Sequence, residues 1–173
     1  MHLVTSLVFL PSLTAYLRPS SQLLLLRAYF TTCLAWWVSR GRPGFDIPGF
    51  FASDTSHPTP SGPLPTPYDG TLPSPKSPEA VTPNPWLPII QTTIVHADAH
   101  LPKIQRALAH FARLYGSRVA GLPDFTGTEL EGAEKLDGTI FIRTAGLTAK
   151  RMGRVREGEK PAKSWDQEGF YVG

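Results

Sequence analysis

Apolar positions recur at helical spacing through the first forty residues, vanish, and return in the second half of the chain. Leu3, Leu7, Leu10 and Leu13 fall three and four apart, which predicts a helix over 2–17 bent at Pro11. After the break at Pro19-Ser20-Ser21, Leu23, Leu26, Phe30, Leu34 and Trp37 mark one side of a helix over 22–39. Leu24, Ala28, Ala35 and Trp36 widen that side until few polar positions remain, so this helix is expected to be buried nearly all round. A third helical region runs from Trp86 to Tyr115 and stops at Gly116, with Pro88 and Pro102 dividing it. Within it Ile104, Leu108, Phe111 and Tyr115 form an apolar stripe. Asp98 is the expected cap of the second piece, since Pro102 then falls in the first turn, where a missing N–H costs least. A weaker helix spans 135–152, interrupted by Gly138 and Gly146, and the aromatic tail with Trp165, Phe170 and Tyr171 is expected to pack back on the helices. No strand alternation persists. The class is all-α: a helical array with a Pro-rich irregular insertion.

Composition locates that insertion. Ten of the eighteen prolines lie within 53–85, mixed with Ser, Thr and Gly, and such a stretch buries too little apolar area to offset its ordering entropy. The organisation read from the chain is a helical pair over 1–52, a loop or linker over 53–85, and a helical segment over 86–173 that forms one domain with the pair. At 173 residues and 41% hydrophobic content, one domain with a moderate core is affordable.

The charge of +3 changes little. Its excess sits in Lys150, Arg151, Arg154, Arg156, Lys160 and Lys163, diluted by Glu157, Glu159 and Asp166 and not interleaved with aromatics, which describes a solvated tail and no nucleic-acid partner. Cys33 is the only cysteine and lies among apolar neighbours, so it is expected in the core, and thiolate zinc sites and internal disulfides are excluded. A reducing, cytoplasmic location follows as the expectation. Leu3 to Leu13 imitates the apolar stretch of a secretory signal, but no Lys or Arg precedes it and Pro11 interrupts it. The run from Leu23 to Val38 contains Arg27 and is too short to span a bilayer, so no membrane segment is expected.

The chemistry-bearing stretch is His96-Ala-Asp-Ala-His100-Leu-Pro-Lys103, with two imidazoles, a carboxylate and an amine beside an apolar stripe. His100 and Lys103 are three apart and share a helical face; His96 lies two before the cap and can swing toward them. Converging neutral imidazoles are the common ligands of iron, copper and zinc. A lysine joins them only when burial favours its neutral amine, which carbon dioxide converts to an anionic carbamate. The other reading of these residues is structural, with Asp98 a plain cap paired to Arg106. HExxH is missing, as are a dinucleotide-binding G-x-G-x-x-G, a phosphate-cradling loop and a G-x-S-x-G elbow, which sets aside hydrolytic zinc and nucleotide or flavin chemistry.

Met1-His2-Leu-Val-Thr-Ser6, Leu24-Leu-Leu-Arg27, Arg40-Gly-Arg-Pro43, Asn84-Pro-Trp86, His100-Leu-Pro-Lys103, Leu114-Tyr-Gly116 and Trp165-Asp-Gln-Glu-Gly-Phe170 together resemble the questin oxidase-like family of fungal polyketide metabolism. The resemblance implies an α-helical, oxygen-dependent oxidoreductase that opens the ring of an anthraquinone-like polyketide by Baeyer–Villiger-type or dioxygenase cleavage. It implies a non-haem iron, for which His100, Lys103, His96 and His2 are the candidate ligands, and it admits NADPH as an external reductant. An aromatic polyketide and molecular oxygen are the implied partners. Relative to that family the chain resembles only the C-terminal portion, so an incomplete domain is expected. The alternative expectation is a non-catalytic helical fragment or interaction protein without metal.

Overall fold

In a computed structural model the protein is described over residues 1–53, 84–155 and 158–165. Among these there are seven α-helices, one short 3₁₀ turn at Ala133–Lys135 and no strand, so the all-α class holds. The helices are α1 (His2–Leu7), α2 (Leu10–Thr14), α3 (Pro19–Ser39), α4 (Ile47–Ala52), α5 (Trp86–Ile94), α6 (His100–Tyr115) and α7 (Ile140–Met152). The Pro-rich insertion lies almost wholly outside the described residues, as do Phe170 and Tyr171.

The core is built by α5, α6 and α7, with α1 laid along α6. Ile89 of α5, Leu101, Ile104 and Leu108 of α6, and Ala145, Ala149 and Met152 of α7 form one buried cluster. Small residues on α7 explain how closely it lies on α6: Ala145, Gly146 and Ala149 are all buried and leave room for the larger α6 side chains. Gln105 is buried in this contact, and its amide donates to the Ala145 carbonyl at 2.9 Å and to Thr148 Oγ1 at 2.8 Å. Both donor hydrogens of that amide are used, which offsets part of its burial, while Oε1 is buried with no partner among the described residues.

Several elements depart from what the spacing predicts. The first helix is two helices, broken at Val8-Phe9 and not at Pro11, which instead opens α2, where its missing N–H has no partner to lose. Pro88 does not divide the third region either: Asn84 Oδ1 caps the N–H of Trp86, and Pro88 falls inside the first turn of α5. The separation comes instead at Val95–Ala99, before α6. The largest departure is α3. It has no buried residue, Leu24 is 70% exposed and Phe30 64%. Cys33 is accordingly half-buried and not a core residue. No described helix packs against α3 extensively; Gln22 Nε2 ties its start to the Thr14 and Leu17 carbonyls, and Tyr29 hydrogen-bonds the Leu3 carbonyl.

The short α4, which the apolar pattern did not mark, is capped by Asp46, whose Oδ1 accepts from the Gly49 N–H at 2.8 Å. It rests on the 3₁₀ turn at Gly132, where φ is +77° and a side-chain carbon would meet Pro48 at 2.6 Å. Only glycine satisfies both demands. Arg143 of α7 reaches back to the Phe51 and Ser53 carbonyls and lies over the Phe51 ring. No described helix is long and apolar enough to cross a membrane.

Candidate metal centre at the start of α6

The turn between α5 and α6 gathers the polar cluster. Asp98 sits just before the first residues of α6, and its carboxylate is nearly closed to solvent, with 9% of the side chain exposed. Oδ1 accepts from the His100 N–H at 2.9 Å and meets His100 Nδ1 at 2.8 Å. Oδ2 accepts from the Trp165 N–H at 2.6 Å. Burial by itself would raise the Asp98 pKa, but the hydrogen bonds from Trp165 and His100 outweigh it, and the carboxyl lies below its ordinary value. Asp98 is therefore ionised near neutrality and can only accept.

That fixes the tautomer of His100. Its Nδ1 must carry the proton shared with Asp98, so a neutral ring presents a free lone pair at Nε2. A carboxylate behind Nδ1 is the arrangement that orients imidazole ligands in metal sites and general bases alike. The His100 side chain is 35% exposed, and the ring of His2 from α1 stands edge-on to it with centroids 5.7 Å apart. Residues 98 units apart in sequence thus form an imidazole pair.

The remaining candidates are placed differently. His96 is buried, but its Nδ1 accepts from the Asp98 N–H at 3.1 Å. The neutral ring then holds its proton on Nε2, and that atom is buried with no described partner. Lys103 is exposed and faces a groove between α1, the start of α2, and α6. It lacks the burial that carbamylation of an amine calls for. Among the described residues no group of three or more His, Cys, Asp or Glu lies in metal-holding geometry. Arg106 does not pair with Asp98; it lines the same groove as Lys103. The role of Trp165 was legible only as an aromatic packing back: its side chain lies against the core, while its backbone N–H supplies the second anchor of Asp98.

A donor set of two adjacent imidazoles, one held by a buried carboxylate, suits part of the coordination sphere of a borderline metal such as iron and leaves positions open. No curated protein and no solved structure matches the chain. A family model described as questin oxidase-like matches residues 1–108, a span that holds α1 to α5, most of α6 and all four candidate ligands. The chain belongs to the questin oxidase-like family, whose name points to an oxidoreductase-type function.

Proposed function

We propose that the chain takes part in oxygen-dependent cleavage of an anthraquinone-like polyketide ring, with His2 and His100 as ligands of a non-haem iron. The observation that carries this reading is the bond between Asp98 and His100, which leaves Nε2 of a neutral ring unprotonated beside a second imidazole. Iron, when bound, supplies the one-electron chemistry that lets dioxygen react with an electron-rich ring. The chain's own residues do the rest. Asp98 keeps the His100 proton on Nδ1 and the ring in one orientation, while Trp165 holds Asp98 from the other side. His96 supports the turn through its bond from the Asp98 N–H. Lys103 stands as the cation next along the same helical face, and as a third ligand only if it is carbamylated.

Anaerobic loading with ferrous iron, followed by metal analysis after desalting, tests this. Stoichiometric iron that is lost on His100→Ala, with oxygen uptake on adding a hydroxyanthraquinone, is the expected result. Trace iron that is indifferent to His100→Ala would overturn it. A second reading, a non-catalytic helical protein that works by association, has one observation in its favour: the open apolar surface of α3. Iron that never binds, with a chain that elutes as a complex, would favour it.

A further inference from the structure

α1 and α6 lie side by side. His2 of α1 meets His100 of α6, and Thr5 and Val8, roughly one and two turns further along, line a groove with Lys103 and Arg106, the equivalent steps along α6. The groove therefore begins about one helical turn beyond the imidazole pair. It offers about 410 Å³, within the usual range of small-molecule sites. Its walls are apolar: Val8, Phe9, Pro102 and Ala107. Phe9 is 55% exposed, so an aromatic face is open to a ligand.

Against those walls stand two cations and no acid. Neither Lys103 nor Arg106 has an ion pair or hydrogen bond among the described residues, whereas Arg118 pairs with Asp124 and Arg143 with the carbonyls of Phe51 and Ser53. Two unneutralised cations three residues apart on one helix repel each other. An anion between them relieves that repulsion, and the apolar walls select an anion with a flat hydrocarbon body.

We infer that this groove binds an aromatic anion, a phenolate or aryl carboxylate, through Lys103 and Arg106, with its ring against Phe9. This deepens the proposed function, since it names the ionisation state in which a substrate would approach the imidazole pair. It stands on the groove's own lining, so it can fail or hold apart from the iron reading. The cations are binding residues; they select the charge of the ligand and hold its anionic group.

Fluorescence titration with 2-naphthoate and with uncharged 2-naphthamide provides the test. The unaltered chain is expected to bind naphthoate about tenfold more tightly than the amide, with affinity falling as salt rises. The Lys103→Gln/Arg106→Gln variant is expected to lose about tenfold for naphthoate and to hold its naphthamide affinity within about twofold. Both positions are exposed, and circular dichroism checks that helicity is kept; Lys103→Arg/Arg106→Lys, which preserves charge, should retain naphthoate binding. His100→Ala should leave naphthoate binding intact while removing iron, so the two readings fail separately. Equal affinity for acid and amide, unchanged naphthoate affinity in the Gln variant, or cation-dependent binding to anionic vesicles without saturable naphthoate binding would each overturn the inference.

Discussion

Asp98 holds His100 twice with one oxygen: Oδ1 takes the backbone N–H at 2.9 Å and Nδ1 of the ring at 2.8 Å. The cap position of α6 falls on Ala99 and not on Asp98 as the spacing predicts, yet the Asp98 carboxylate, one residue earlier, anchors the first residue of the helix and sets the direction of its side chain. Asparagine has the same shape but presents an amide N–H where a lone pair is required, either toward the ring or toward Trp165. Asp98→Asn is therefore expected to weaken iron affinity about 10- to 100-fold, the usual consequence of losing an outer-shell partner. A competitive chelator titration measures it.

The same carboxylate gives the metal-free fold an acid limit. Its pKa is lower folded than unfolded, where it is about 3.9. Its stabilising contribution is thus complete above the unfolded value and disappears as pH falls through the folded one. Thermal melts of the metal-free chain between pH 6 and pH 3, values of the order set by that linkage, should decline less steeply for Asp98→Asn than for the unaltered chain. Parallel curves would contradict the assignment.

Gly138 is a position where no side chain fits. A Cβ there would lie 2.2 Å from the Gly116 carbonyl oxygen and 2.5 Å from that of Tyr115, and backbone atoms cannot step aside as a flexible side chain can. Gly138→Ala should cost about 1–3 kcal/mol, read from denaturant melts, and should loosen the end of α6 before its start.

Leu101 follows His100 and is fully buried in the α5–α6–α7 cluster. Leu101→Ala is expected to destabilise by about 2–5 kcal/mol, combining lost transfer energy with the cavity left behind. Because it turns away from the imidazole pair, any iron the folded variant retains should bind with unchanged affinity.

On α3 the expectation is the reverse. Leu24→Lys replaces an exposed leucine, so folding stability should stay within about 0.5 kcal/mol, while concentration-dependent light scattering falls as the apolar patch is interrupted. A loss of several kcal/mol would mean that Leu24 is buried after all.

Local spacing determined that this chain is helical, roughly where its principal helices lie, and that His100 and Lys103 share the face that follows the turn at Asp98. These are properties of three- and four-residue periodicity, prolines and caps, which act within a turn or two of the chain. Tertiary structure decided the rest. His2 and His100 are neighbours because α1 lies along α6, Trp165 anchors Asp98 from 67 residues away, and Arg106 faces a groove instead of pairing with that carboxylate. It decided burial as well: α3 has the most uniformly apolar sequence of the long helices and lies open, while α6, with a one-sided stripe, sits in the core. The physical reason is that an apolar pattern states only that a face gains by leaving water; which faces meet is settled by the packing of segments far apart in the chain.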